Sequence, residues 1–364
     1  MYWWRPDDHP RLSSVTRIMI RVAVLLLLLT CHFMVWAHPG EIRHFSTKGP
    51  VTAQLRIQGA NDVERFAVVI ADYQRLHPGS EVIYEERIAS QIYHRYLHPA
   101  SSQPPPDLLI SPSMDLQIKL ANDGHALAYR SSRTRALPAC AQWRYEVFGI
   151  GYEPAVIVYN TRRLPSPQVP RTRHQLLALL RAPEAPLRGQ IGTYDVERSA
   201  VGYLLSTQDA QLGSIAGALW EAMGEERVQL EAGTGALLDR VASGELLLAY
   251  NVLGSYAQAR VDAGVPLGIV QPEDYTLLAL RTAVIPRGGV HVSEAQRFLD
   301  YLLSERGQRV LSHEVRLMPV LPASDRIVSM FRPIALGPGL LVYLDTLKRR
   351  QFLYTWRSSM LPPR

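Results

Sequence analysis

Residues 51–86 read as strand, helix, strand within about 35 residues, the unit that joins parallel strands through a covering helix. VTAQLRIQG (51–59) alternates like a half-buried strand. Asn61 or Asp62 then opens a helix in which Phe66, Val69, Ile70 and Tyr73 recur at helical spacing. His77-Pro78-Gly79 ends that helix, and EVIYEE (81–86) is the second strand. Such a unit buries its faces only within a helix-covered sheet, which confines the chain to the α/β class.

The same grammar recurs along the chain. A strand over 108–110 ends in Ser111-Pro112-Ser113 and meets a helix carrying Leu116, Ile118 and Leu120, with Ser113 either capping that helix or facing a ligand. WRYEVFGIGYEPAVIVYNTRRL (143–164) reads as two strands, 147–151 and 155–159, and the Pro-rich residues 164–170 mark a boundary. Thr172 caps a helix over 173–180. In RGQIGTYDVERSAVGYLL (188–205), Ile191, Gly192 and Thr193 finish a strand, Asp195 is the expected cap, and Ala200, Val201, Leu204 and Leu205 form a helical stripe. LLLAY (246–250) is a continuous apolar strand that ends in Tyr250-Asn251. Strands over 267–270 and 275–285 carry the chain back. Val292-Ser293 with Gln296 reads as a capping box for one helix over 294–311, with Gln308 as an outer residue. In the tail, Leu341, Tyr343, Leu344 and Leu347 make a stripe expected to lie across the outside of a lobe.

Strands that turn directly into helices present unpaired backbone N–H groups and a positive dipole end, which suits an anionic or oxygen-rich ligand. Tyr194, Asp195 and Ser199 lie at one such mouth.

With 364 residues and 47% hydrophobic content the chain is long enough for two domains. The formal charge is +6, but only Lys48, Lys119 and Lys348 are lysines and the arginines are scattered, which argues against a nucleic-acid partner. Arg17 and Arg21 precede an apolar run over 22–29, and Val35-Trp36-Ala37 resembles a cleavage site, so residues 1–37 read as a signal peptide cut after Ala37. An uncleaved anchor over 18–36 and a lipoprotein signal at Cys31 are the competing readings. Removal leaves Cys140 as the one cysteine, so no intramolecular disulfide forms. Residues 38–50 lack any period and read as a flexible lead-in. No Gly-x-Ser-x-Gly elbow or His-Glu-x-x-His helix points to an enzyme, and nothing calls for a cofactor.

The order of elements, together with EPAVIVYN from Glu153, GELLLAYN from Gly244 and IPRGGVHVSEAQRFLDYLLSERGQRVL from Ile285, resembles the type 2 periplasmic solute-binding proteins of ABC transporters. The likeness spans residues 51–311 and is greatest to the ferric-iron and organophosphate branch. It implies two lobes, each a mixed sheet flanked by helices, with a ligand cleft between them. Lobe 1 would comprise 51–160 and 275–364, lobe 2 would comprise 161–274, and the hinge would lie at 159–165 and 268–275. Carried over, the cleft residues are Gly59, Ala60, Asn61, Ser111, Ser113, Met114, Tyr194, Asp195, Ser199, Tyr250 and Asn251. The expected cargo is a small anion, an organophosphate, phosphonate or carboxylate, with Arg144, Arg198 and Arg281 as candidate charge partners. The alternatives are ferric iron on Tyr194, Tyr250 and Tyr256, or a sensor acting on a histidine kinase. Ferric-binding relatives present adjacent tyrosines where this chain reads NVLGSYA, with Tyr256 alone. The resemblance also implies a monomer in the periplasm, without catalysis, served by an inner-membrane ABC permease.

Overall fold

The structure, a computed structural model, describes residues 41–47, 49–60, 62–99, 104–182, 187–321 and 330–361. The expected leader, residues 1–37, lies outside the described residues. The first lobe opens with β1 (Ile42–Phe45), β2 (Ala53–Gly59), α1 (Val63–Leu76), β3 (Ser80–Glu86), α2 (Ala89–Leu97), β4 (Leu108–Ser111) and α3 (Met114–Asn122). A short helix, α4 (Ser132–Arg135), and β5 (Gln142–Trp143) lead into the long strand β6 (Val147–Asn160). The second lobe holds α5 (Arg173–Leu180), β7 (Ile191–Tyr194), α6 (Ala200–Leu212), α7 (Ile215–Glu225), β8 (Gln229–Glu231), α8 (Thr234–Ser243), β9 (Leu248–Leu253), α9 (Gly254–Asp262) and β10 (Leu267–Val270). The chain returns through β11 (Thr276–Val284), α10 (Val292–Leu302), α11 (Glu305–Glu314) and β12 (Phe331–Pro333), then ends in a 3₁₀ turn, Pro338–Leu344, and α12 (Thr346–Met360).

The strands follow the order β1-β3-β2-β4-β11-β6-β9-β7-β8, with β10 and β5 on β6 and β12 on β11. In the first lobe β2, β3 and β4 run parallel, while β11 is antiparallel to both β4 and β6. In the second, β7 is parallel to β8 and β9, and β9 is antiparallel to β6. β6 therefore belongs to both sheets: Pro154 pairs with Leu278 of the first, and Ala155 with Leu253 of the second. The two strands expected over 147–159 are one, because Gly151 to Pro154 stay extended across the junction.

Helix α1 shows why these sequences choose these elements. Asp62 caps it by accepting the N–H of Glu64 at 2.9 Å, and Phe66, Val69, Ile70 and Tyr73 all point into the core with no exposed surface. Phe66 and Tyr73 meet Phe298 of α10, with ring centroids 6.3 and 4.8 Å apart.

Several expectations are corrected. The lead-in is not free where it is described: β1 pairs antiparallel with β3, and Gln74 donates to the Phe45 carbonyl at 2.7 Å. The helix expected over 294–311 is two helices, because Ser304 caps a new one by accepting the N–H of Gly307 at 3.0 Å. The capping box at its start is not formed; His291 holds the cap position, and its side chain bonds Asp107 at 3.1 Å rather than the helix N–H groups. Asp195 does not cap the helix after β7. Ser199 does, accepting the N–H of Gly202 at 3.1 Å, and Asp195 instead accepts that of Glu197 at 2.9 Å. Gln308 is buried, bonding the carbonyls of Ile150 and Leu302 and the N–H of Val320. The tail, expected wholly in lobe 1, ends in the second lobe's core, where Phe352, Trp356 and Met360 join Leu219, Trp220 and Met223. Its stripe breaks at Asp345, whose carboxylate accepts the N–H groups of Leu347 and Lys348 and starts α12 afresh.

Candidate functional site

The junction in β6 sets the floor of the cleft. Glu153 is a lone charge in an apolar strand, fully buried, and it faces Arg281 of β11, which is 1% exposed. The Arg281 guanidinium donates to Glu153 Oε2 at 2.7 Å and to the Ala60 carbonyl, just past β2, at 3.0 Å. Burial opposes the charge on Arg281, yet Glu153, then Tyr256, hold it firmly protonated.

The second lobe reaches this floor through the first turn of α9. Ser255 donates its hydroxyl to Glu153 Oε1, and Tyr256 donates to the Ala60 carbonyl at 2.6 Å. Arg65 of α1 donates back to the Ser255 carbonyl at 3.4 Å. This approach depends on Gly254, where a Cβ would stand 2.9 Å from the Pro154 ring and 3.0 Å from its carbonyl oxygen. Asp62, Arg65, Ser255, Tyr256, Arg281 and Val315 line a small pocket at this place.

Tyr194, at the end of β7, stands beside the floor. Its hydroxyl bonds that of Thr234 at 2.6 Å and accepts the N–H of Leu253 at 3.4 Å. Burial raises its pKa well above the ordinary phenol range, and Glu153 and Tyr256 lie close enough to add to that. Burial also raises Tyr256, against the pull of Arg281 and with a push from Glu153. Two phenols, one carboxylate and one guanidinium thus act on one another across the cleft. Among the described residues no three His, Cys, Asp or Glu side chains converge, so a metal held here would depend on phenol oxygens.

The other expected residues fall into three places. Gly59 and Ala60 close β2 at the floor, while Asn61 lies outside the described residues. Ser111, Ser113 and Met114 are buried where β4 turns into α3, beside β11. The Ser113 N–H donates to Ser111 Oγ at 3.2 Å, the buried Ser113 Oγ has no partner among the described residues, and Met114 Sδ receives the N–H of Leu280 at 3.2 Å. Tyr250 and Asn251 are elsewhere, in a buried cluster around Asp209. That carboxylate accepts from Tyr250 at 2.7 Å, Asn251 at 2.6 Å, Tyr275 at 3.0 Å and Arg173 at 3.0 Å. Of the candidate arginines only Arg281 reaches the cleft. Arg144 pairs with Glu146 at 3.3 Å on the surface, and Arg198 is exposed.

Sequence reasoning missed Glu153, Ser255, Arg65 and Asp62. A signal existed for the first: Glu153 in VFGIGYEPAVIVYN and Arg281 in TLLALRTAV are opposite charges, each alone in an apolar strand, and two such charges are buried at acceptable cost only as partners.

Two α/β lobes joined by a shared strand, with a polar cleft at the junction, define a periplasmic solute-binding protein of the type 2 fold. The chain belongs to the bacterial extracellular solute-binding proteins, whose pattern it matches over residues 64–314. It is accordingly a non-catalytic, periplasmic component of the ABC-transporter kind. Among curated proteins none matches at a significant level. Among solved structures, the substrate-binding protein of an ABC transporter from Agrobacterium tumefaciens is 29% identical with a TM-score of 0.82, covering 88% of this chain and 98% of that one. Two others share the fold. AfuA from Actinobacillus pleuropneumoniae, with fructose-6-phosphate bound, has a TM-score of 0.69 at 16% identity, covering 86% of this chain and 100% of that one. Iron-bound HitA from Pseudomonas aeruginosa has 0.65 at 17%, with the same two coverages.

Proposed function

We propose that the cleft carries ferric ion and hands it to an inner-membrane ABC permease. The observation that supports this is that Tyr256, at the pocket, lies near enough to Glu153 and to Tyr194 beside the floor for two phenols and a carboxylate to act on one another electrostatically. Ionised, they offer a hard trivalent ion an all-oxygen set with three negative charges. Ferric-binding proteins recur among the structures that share this fold. The single tyrosine of NVLGSYA is then complemented by Tyr194 from β7 rather than by a neighbour in sequence. The permease partner follows from the family and from the Agrobacterium relative, itself the substrate-binding protein of an ABC transporter.

Both phenols sit above their ordinary pKa, so the ion must displace their protons and affinity should rise with pH. Titration with ferric nitrilotriacetate should produce a visible phenolate-to-iron absorption band that Tyr256→Phe weakens and Tyr256→Phe with Tyr194→Phe abolishes. A band that survives the double substitution, or no band at all, would remove this reading.

The second reading, an organic anion, is favoured by Arg281 and Arg65, the two guanidinium groups that line the pocket. A melting point raised by a hexose phosphate or a dicarboxylate, with no iron band, would select it.

A further inference from the structure

Helix α12 is apolar on two opposite faces, and the fold uses one of them. Phe352, Trp356 and Met360, four residues apart, anchor it in the core of the second lobe. Leu347, Tyr354 and Leu361 recur every seven residues on the other side, and they are 69%, 74% and 55% exposed. A seven-residue step returns to within about 20° of the same direction, so these three form a ridge along the outside. Arg350 and Arg357 flank it on one side, and Lys348 lies about 100° round from Leu347 on the other, all exposed.

These charges do not serve the helix. Lys348, Arg349 and Arg350 fall in its first turn and a half, where the macrodipole is already positive and cations are unfavourable. Arg349 lies 4.7 Å over the Tyr203 ring and Arg357 pairs with Glu197, but Lys348 and Arg350 have no ion-pair partner among the described residues. An apolar ridge with a tyrosine, beside cations of which two have no ion-pair partner among the described residues, is the pattern of a helix lying in the plane of a membrane interface. Its area argues the same way. A helix of 15 residues presents a face about 22 Å long and about 10 Å wide, well short of the ~800 Å² per partner of a stable protein interface, whereas a lipid surface needs no matching shape.

We infer that the outer face of α12 is a docking surface for an anionic phospholipid bilayer, holding the protein weakly and reversibly against the membrane. The attraction is electrostatic at long range and should weaken with salt.

The test is flotation of the full chain with phosphatidylcholine vesicles, with and without about one third phosphatidylglycerol. Binding should be stronger on the anionic vesicles, and that excess should fall at high salt. Lys348→Ala and Arg350→Ala should each lower the partition constant about fivefold, and Leu347→Ser with Tyr354→Ser should lower it further. These side chains are exposed, so the variants should melt with the unchanged chain, and the apolar leader common to all of them cancels in the comparison. Equal binding to both vesicle types, or variants that partition like the unchanged chain, would overturn the inference. So would binding to an acidic protein in place of vesicles.

Discussion

Two buried clusters in this protein use the same vocabulary to different ends. At the cleft floor, Arg281 faces Glu153 with Tyr256 and Ser255 around the pair. In the second lobe, Arg173 faces Asp209 with Tyr250, Tyr275 and Asn251. In the second cluster every nitrogen of the guanidinium is engaged. Nε donates to Tyr250 at 2.7 Å, one terminal nitrogen to the Tyr275 carbonyl at 2.5 Å and to Asp274 at 3.3 Å, and the other to Asp209 at 3.0 Å. The Tyr275 ring lies 3.5 Å from the same guanidinium. This cluster ties α5, α6, β9 and the start of β11 together beside the crossing between the lobes. Asn251 sits in the left-handed region at φ 60°, a conformation uncommon outside glycine, with its amide on Asp209. The floor cluster instead borders a pocket and spans the two lobes. The difference teaches that a buried arginine–carboxylate–tyrosine group marks a ligand site only where it borders open volume; enclosed on all sides, it is a structural joint.

The largest effects should come from breaking either ion pair. Arg173→Ala and Arg281→Ala each strand a buried carboxylate, so urea melts should show a loss of about 3–5 kcal/mol for both. Ligand separates them. Excess cargo should raise the melting point of Arg173→Ala as much as that of the unchanged protein, and should raise that of Arg281→Ala by a different amount, because that variant changes the charge at the pocket. Equal rescue of both would dissolve the distinction between floor and joint.

A third buried acid sharpens the comparison because it lacks a guanidinium at bonding distance. Asp115, in the first turn of α3, is 4% exposed and accepts the N–H of Leu116 at 2.9 Å. Burial pushes its carboxyl up to about 7, against the backbone N–H groups of Leu116 and Asp115 and, less strongly, the more distant Arg349. The folded state therefore holds this proton where the unfolded chain has lost it. Stability from this group is complete below pH ~4 and is lost as pH rises towards about 7, by up to about 4 kcal/mol. Asp115→Asn should flatten that part of the stability profile. A profile unchanged by the substitution would mean that the carboxyl is solvated or paired.

How far the sequence reveals this arrangement depends on how local each signal is. The α/β order is legible because buried strands such as LLLAY are apolar throughout and α1 repeats its core residues at helical spacing. The break at Ser304 hides because one serine within a periodic stripe reads as a solvent-facing residue, and β1 hides because its short alternation is weak without β3 beside it. At the site, Tyr194 is legible as the last residue of a strand that turns into a helix. Tyr250 and Asn251 carry the same local signature yet point to Asp209, whose position inside α6 gives no hint of burial. Strand ends show where a cleft can form; which of their side chains reach it is decided by tertiary packing.

The smallest effect on stability should be the most informative about function. Tyr250→Phe removes one bond from Arg173 and one to Asp209, both charge-assisted, and should cost about 2 kcal/mol. Tyr256→Phe removes the bond to the Ala60 carbonyl and the one with the Arg281 guanidinium, and should also cost about 2 kcal/mol. Cargo affinity should separate the two. The Tyr250 variant should bind as the unchanged protein does, because its hydroxyl is enclosed by Arg173 and Asp209, whereas the Tyr256 variant should lose binding, because its hydroxyl is at the pocket. Calorimetry on the two variants, each melted alongside, tests that separation directly. If binding instead follows stability, the cleft is formed by the overall closure of the lobes and not by the phenol at its floor.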